Sequence, residues 1–362
     1  MTEITVSFTE ALAVAVAALK ARGASPAHAQ ATGRALVTAE AEDNRAVGLK
    51  HLFTYGDALR DGRAVGDAEP VIEEVTDSVT RVDACEGLPH LGFERALPRL
   101  VAGAQTHGVA ILALRNGFPC GALGYFARRL AEDHGLTALA AANAGPAVMA
   151  ASGGTRPVYC TNPLAFAVPT GAEGAPALVI DQASSSSSLA KIRAAAEAGR
   201  EIPAGWALDP AGRPTTDARA ALAGTLIPFG GARGANVALM VELLAAALTG
   251  ANWSQDAPPF NKGKKSPGAG LFIIAVDQSA TSGAVRVGSE GRPGDPAETP
   301  PREKNCDFFT APFTERLTAW IAGVETDNAH LPGLAKGETL AHARHRGFSV
   351  DAQMWARIRD LA

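Results

Sequence analysis

The chain has 362 residues and a formal charge of -4, with 19% charged and 47% hydrophobic residues. That length buries a large core and predicts two domains, and the near-balanced charge gives no field suited to nucleic acid. Glycine, proline or a charge cuts every long apolar stretch before it reaches membrane-spanning length, and Met1-Thr-Glu-Ile-Thr lacks the basic-then-apolar pattern of a signal peptide, so a cytoplasmic protein is expected.

In chain order, Phe8 to Arg22 and Ala29 to Glu42 read as amphipathic helices separated by Ser25-Pro26, and Leu49 to Arg60 as a third, ended by Asp61-Gly62. From Val71 the pattern turns to strand. It continues as helix (Phe93 to His107), strand (Val109 to Leu114) and helix (Ala122 to Asp133), with further strands at Leu139, Leu178 and Leu271 to Val276. This alternation predicts an α/β fold with a mixed sheet. Asn261 to Pro267 reads as a basic solvated loop, Gly283 to Asn305 as a crossover linker, and the tail after Phe313 as helices. Cys85, Cys120, Cys160 and Cys306 show neither Cys-x-x-Cys nor metal-ligand spacing, so reduced thiols and no metal are expected. His342 and His345 lie among arginines and read as a solvated helix face.

The stretch from Asp181 to Asn252 is interrupted by polar residues and glycine where a packed core has no use for them. An apolar strand, Pro176 to Ile180, stops at Asp181-Gln182-Ala183 and the serines Ser184 to Ser188, and open α/β sheets place ligands at such strand ends. Further on, Gly230-Gly231-Ala232-Arg233-Gly234 opens the apolar helix Val237 to Leu248, an entry suited to a phosphate, although a tight helix entry needs glycine in any case.

Several segments in register closely resemble the malate/L-lactate dehydrogenase superfamily, which also contains cyclic ketimine (piperideine- and pyrroline-carboxylate) reductases. They are Arg81-Val-Asp-Ala-Cys85, Gly121-Ala-Leu-Gly124-Tyr125, Cys160-Thr-Asn-Pro163, Asp181-Gln-Ala-Ser184, Ile202-Pro-Ala-Gly-Trp-Ala-Leu-Asp209, Gly230-Gly-Ala-Arg-Gly234, Leu248-Thr-Gly-Ala-Asn-Trp253 and Leu331-Pro-Gly333. The resemblance covers nearly the whole chain. It implies a nicotinamide-dependent oxidoreductase using NADPH or NADH, a non-Rossmann mixed-sheet cofactor domain (116–307) inserted in a discontinuous, largely helical domain (1–115 plus 308–362), and a homodimer. By the same resemblance Asn143, Ala144, Thr161, Asn162, Pro163, Asp181, Gln182, Ala183, Ser184, Gly230, Gly231 and Arg233 would meet the cofactor.

The departures fall at catalytic positions. Ala46 and Val47 stand where the family carries Ser-His, and Phe118-Pro119-Cys120 precedes Gly121 without the expected histidine. His51, one helical turn after Val47 and at the position of the family's substrate-anchoring arginine, is the candidate to compensate, or else an ordinary packed histidine. Asp181, at the end of an apolar strand, is the second catalytic candidate, unless it merely caps the following segment through Ser184 or Ser185. Arg45 and Lys50 are cations near enough in sequence to hold a substrate carboxylate, and Tyr55 and Cys120 are candidate walls of the substrate pocket.

A positioned acid or base is worth roughly 10²–10⁴-fold, so a ketone reductase loses heavily without those histidines. A cyclic ketimine arrives protonated on nitrogen and accepts hydride with less help. The residues therefore favour C=N reduction, with Asp181 stabilising the iminium. A 2-oxo-acid/2-hydroxy-acid dehydrogenase using His51, or a non-redox descendant that only binds nucleotide, are the alternatives.

Overall fold

The computed structural model describes residues 2–143, 145–171, 176–281, 312–325, 331 and 333–362. Ala144, the expected linker from Gly283 to Asn305, Cys306 and Pro332 lie outside them. Strand β1 (Glu3–Val6) leads into α1 (Phe8–Ala21), capped by the Ser7 hydroxyl, and α2 (Pro26–Ala41), capped by Ser25. Helix α2 starts before the expected Ala29 because Pro26 suits a first turn that needs no N–H. Helix α3 (His51–Arg60), β2 (Val71–Thr76) and β3 (Val79–Asp83) follow, then α4 (Pro89–His107), which again gains a turn over expectation by starting on a proline.

The chain continues through β4 (Val109–Gly117), α5 (Gly124–His134), β5 (Thr137–Ala142), β6 (Met149–Ala150), β7 (Pro157–Tyr159), β8 (Leu164–Val168), β9 (Leu178–Gln182) and α6 (Leu189–Glu197). Short strands β10 (Ala207–Leu208), β11 (Pro214–Thr215) and β12 (Thr225–Leu226) surround α7 (Ala218–Ala223). Helix α8 (Ala232–Glu242) begins ahead of the expected Val237 and finishes in a π-helical turn, Leu243–Ala247. Strand β13 (Ala269–Val276) lies on that turn so closely that a Cβ at Gly270 would come within 1.7 Å of the Ala245 carbonyl oxygen. Beyond α9 (Gln278–Thr281), the tail contains α10 (Phe313–Glu325), α11 (Leu334–Arg346), β14 (Phe348–Asp351) and α12 (Ala352–Arg359). The tail is thus not all helical as expected: β14 pairs antiparallel with β1 and joins the two ends of the chain.

Seven strands form a mixed sheet in the order β2-β3-β4-β13-β5-β8-β9, in which only β3 and β4 run parallel among neighbours. Helices α4 and α5 cover it through Phe93, Leu97, Leu100, Phe126 and Leu130. A second core joins α1–α3 to α11 and α12 through Leu19, Leu36, Leu52, Tyr55, Leu340, Trp355 and Ile358. A third, smaller core lies beside the sheet β11-β10-β12-β6-β7. Strands β2, β3 and β4, which the expected division at residue 115 puts with the helices except for the last two residues of β4, belong to the seven-stranded sheet. Among the described residues no helix is long and apolar enough to cross a membrane.

Two buried polar groups join the helical core to the sheet. The Arg128 guanidinium, on α5 and 1% exposed, donates to Glu42 Oε2 at 2.5 Å and to Glu132 Oε1 at 2.9 Å, tying the end of α2 to α5. Arg344 of α11 reaches the other Glu132 oxygen at 3.3 Å. Breaking a buried pair from one side strands the remaining charge. Arg128→Met is therefore expected to lower the unfolding free energy by about 3–5 kcal/mol in urea titration, and a loss below about 1 kcal/mol would show that Glu42 and Glu132 find other partners. His90 of α4 stacks on Phe126 at 5.4 Å, with Thr32 Oγ1 3.4 Å from its Nδ1, and burial pushes its pKa down to about 3. Its folded value lies below the unfolded value of about 6.5, so its contribution is complete above pH 6.5 and is lost as pH falls toward 3. His90→Phe is expected to flatten that acid limb in unfolding curves recorded from pH 7 to 4.

Candidate active site

Strand β9 runs two residues further than the sequence suggests, so Asp181 stands inside it, paired with Ala165 of β8. Its carboxylate does not cap the serine stretch. Asp181 Oδ2 instead accepts the Gly124 N–H at 2.8 Å, at the N-terminal end of α5, where the helix dipole favours a negative charge. A Cβ at Gly124 would stand 3.0 Å from Asp181 Cβ, so glycine lets β9 and α5 meet here. Burial pushes the Asp181 carboxyl above its ordinary range, opposed by the Gly124 N–H, Lys336 and Arg128. Gly121 has φ 72°, and a Cβ there would come within 2.9 Å of the Tyr55 hydroxyl. The Gly-Ala-Leu-Gly segment is thus explained at both ends: one glycine clears Tyr55 and the other admits Asp181.

The opposite wall is the turn into α3. Glu40 Oε2 accepts the Leu49 N–H at 2.8 Å, and a Cβ at Gly48 would fall 2.3 Å from the same oxygen, so the glycine and the buried carboxyl fix this turn together. It directs His51 inward, with its ring edge-on to Tyr55 at 5.7 Å. Burial first, and Lys50 second, push the His51 pKa down to about 4, and Nδ1 is buried with no hydrogen-bond partner among the described residues. His51 is therefore neutral near pH 7. The Tyr55 hydroxyl donates to the Pro119 carbonyl at 2.9 Å, and burial holds its pKa well above the usual phenol value. Cys120 is also buried, its thiol pushed up to about 12 by desolvation and then by the Asp181 charge, which keeps it protonated. His51, Tyr55, Cys120 and Asp181 thus stand around the Pro119–Gly124 turn.

The expected cofactor segments are laced to one another. Ser184 N–H donates to Thr161 O at 2.8 Å, Ser184 Oγ to Asn162 O at 2.8 Å, and Phe229 N–H to Ser184 O at 3.0 Å. The Asn162 amide donates to Ala238 O at 2.9 Å and Glu242 Oε2 at 2.8 Å, while its own Oδ1 is buried without a hydrogen-bond partner among the described residues. The Pro163 carbonyl accepts Ala142 N–H, Gln182 is exposed and Ala183 half-buried. Gly230 and Gly231 have φ 56° and 64°, with nothing within 4 Å of where a Cβ would be, and they lead into α8. An open, glycine-lined helix entry and an orphaned amide oxygen fit the phosphate and polar parts of a dinucleotide.

Other expected residues stand elsewhere or carry other loads. Arg45 is on the surface, committed to Glu3 at 2.7 Å and Asp43 at 2.8 Å, so it is not free to hold a substrate carboxylate. Lys50 and Arg233 are exposed, and His342 and His345 form the solvated face expected of them. The Asn143 amide is spent on the framework, donating to Asn252 O and accepting from Gly270 N–H, both at 2.7 Å. Sequence reasoning passed over Glu242, whose buried carboxylate takes Asn162, Ser254 N–H at 2.6 Å and Ser254 Oγ at 2.7 Å. A glutamate inside an apolar helix, Leu239-Met-Val-Glu-Leu-Leu244, was the available signal.

The malate/L-lactate dehydrogenase model matches residues 6–290. The chain is 42% identical over 273 residues to the (2R)-3-sulfolactate dehydrogenase (NADP(+)) of Chromohalobacter salexigens, across 75% of this chain and 80% of the relative. It is 38% identical over 260 residues to the Delta(1)-pyrroline-2-carboxylate reductase of Ancylobacter novellus, across 72% and 75%. The crystal structure of delta1-piperideine-2-carboxylate reductase from Pseudomonas syringae superposes with a TM-score of 0.85 at 29% identity, covering 99% of this chain and 100% of that one. Motif, fold and family match agree: the chain belongs to the malate/L-lactate dehydrogenase family and is an NAD(P)-dependent oxidoreductase.

Proposed function

We propose that this protein reduces a cyclic ketimine, a C=N hydride acceptor, with NADPH or NADH. The observation that carries the reading is that the turn holding the Asp181 carboxylate on the Gly124 N–H is lined on its other side by Tyr55 and a histidine, His51, that is neutral near pH 7. Reduction of a ketone ends with a proton delivered to oxygen, and His51, its pKa near 4, holds almost none to give at neutral pH. A ketimine enters already protonated on nitrogen. The Asp181 carboxylate, short of solvent, gains the cation it lacks when an iminium sits against it. The nicotinamide supplies hydride to the ring carbon when bound. Asp181 faces the nitrogen, the protonated Tyr55 and Cys120 wall the pocket, and Lys50 lies at its rim.

Thr161, Asn162, Pro163, Gln182, Ala183, Ser184, Gly230, Gly231 and Arg233 would hold the dinucleotide, with Glu242 keeping the Asn162 amide in place. The shared core of the first and last helices supports a discontinuous helical domain, and the seven-stranded sheet supports an inserted cofactor domain that takes in 71–117. A homodimer is supported by the apolar face left open by Leu239, Met240, Leu243 and Leu248 beside Trp253, with Leu248 62% exposed. The cytoplasm suits such an enzyme.

The 42% identity to a sulfolactate dehydrogenase favours a second reading, oxidation of a 2-hydroxy acid or reduction of a 2-oxo acid. Loss of reduced-nicotinamide absorbance, followed with cyclic ketimine carboxylates, uncharged cyclic imines and 2-oxo acids in parallel, separates the two. Turnover of C=N substrates is expected, with Asp181→Asn lowering kcat/KM by about 10² or more and His51→Ala by less than about tenfold. Turnover of 2-oxo acids alone, abolished in His51→Ala, would replace the first reading with the second. Tight nucleotide binding with no oxidation by any acceptor would point to a descendant without redox activity.

A further inference from the structure

A protonated ketimine carboxylate is a zwitterion, and Asp181 answers only its positive end. The family's anchoring arginine is His51 here, neutral near pH 7, and the cations nearby are otherwise engaged. Arg45 is held by Glu3 and Asp43, Arg128 by Glu42 and Glu132, Arg129 by Glu94 and Asp133, and Arg344 by Glu132. Lys50, one residue before His51, is exposed, so water screens its charge.

Lys336 is different. It belongs to the first turn of α11, which lies directly on β9: a Cβ at Gly333 would fall 1.9 Å from Val179 O, and one at Gly337 would fall 2.5 Å from Pro176 Cβ. That contact places the turn beside the strand two residues from Asp181. Lys336 is half-buried, and its ammonium acts electrostatically on both the Asp181 and Glu42 carboxylates. It makes no direct ion pair among the described residues, whereas Glu42 already has Arg128 at 2.5 Å. A half-buried ammonium on the turn that packs against β9, within electrostatic reach of the Asp181 carboxylate but not paired with it, leaves room between the two charges for a small zwitterion.

We infer that Lys336 is the substrate-anion anchor of this enzyme, holding the carboxylate of the substrate while Asp181 faces its nitrogen. The inference rests on the C=N reading for the nitrogen, but the anchor for a carboxylate stands equally for a 2-oxo acid. Because α11 comes from the far end of the chain, substrate binding then requires the C-terminal segment to stay docked on β9.

Steady-state kinetics of Lys336→Met, Lys336→Arg and Lys50→Met test this with Δ1-pyrroline-2-carboxylate and Δ1-pyrroline, which share a ring and a basic nitrogen and differ by the carboxylate. Binding of pyrrole-2-carboxylate, which cannot accept hydride, is measured alongside by calorimetry in the presence of NADPH. Loss of one charge-assisted contact is expected to raise KM and Kd for the carboxylated ligands by about 10–100-fold in Lys336→Met, with kcat changed by less than about threefold. Lys336→Arg should restore most of the affinity, and kcat/KM for Δ1-pyrroline should stay within about twofold of the parent.

Equal losses on both imines, or a KM effect in Lys50→Met and none in Lys336→Met, would overturn the anchor while leaving C=N reduction intact. Turnover confined to 2-oxo acids, with KM still raised in Lys336→Met, would sink the C=N reading and keep the anchor. If no acceptor is turned over, the calorimetric comparison still decides it: equal Kd in parent and Lys336→Met overturns the anchor.

Discussion

The site depends on one contact, the Asp181 carboxylate on the N–H of Gly124. It joins the edge strand of the seven-stranded sheet to the start of α5, and so fixes at once where a carboxylate stands and where the Pro119–Gly124 turn runs. The bond forms only if two backbones approach within a distance that any Cβ at Gly124 would obstruct. The helix end provides a fixed partial positive charge that lets the carboxylate exist with little water, while burial keeps its pKa above the ordinary range. A fully compensated carboxylate has no need of substrate, and an uncompensated one takes a proton. For Asp181, burial raises the pKa while the Gly124 N–H, Lys336 and Arg128 oppose the rise.

The same contact is braced from behind. One turn along α5, Arg128 is clamped between Glu42 and Glu132, and Arg344 extends the chain of charges to α11. Buried ion pairs are weak sources of net stability because each charge gives up its hydration. Their effect here is to make position specific: α2, α5 and α11 meet in a register that satisfies these charges. That register also determines how the turn after α2 presents His51 and how the start of α11 presents Lys336. The placement of the candidate site thus rests on ion pairs that lie behind it.

How much of this was legible in the sequence follows from how local each signal is. Helices α1 to α5 could be read because their apolar positions recur with helical period; α2 and α4 start earlier than expected, on a proline, and α3 and α5 start two residues later. The polar end of β9 and the glycine entry to α8 were legible as interruptions of apolar patterns. The partner of Asp181 was not, since it is 57 residues away and a glycine advertises nothing about which side chain occupies the space it leaves. Arg45 and Asn143 illustrate the converse error. Each is a polar residue in a suggestive place, and each is consumed by neighbours that sequence distance hides, Glu3 at one end of the chain and Asn252 more than a hundred residues on. The β1–β14 pairing escaped for the same reason: neither four-residue strand has enough alternation to declare itself without the other.

Losing the family's histidines need not mean losing its chemistry, because the demand for a proton donor depends on the acceptor. A carbonyl oxygen becomes strongly basic as hydride arrives, so its enzyme must deliver a proton in the same step. An iminium becomes a neutral amine as hydride arrives, and the enzyme has only to tolerate a cation beforehand. That second task is electrostatic and falls to a preorganised carboxylate rather than to a titrating group near neutral pH. Around the Pro119–Gly124 turn His51 is neutral near pH 7, Cys120 and Tyr55 stay protonated, and burial raises the Asp181 carboxyl. On the proposed reading, such an arrangement favours a substrate by charge before shape, because a cyclic iminium offers the Asp181 carboxylate a cation that a neutral ketone does not.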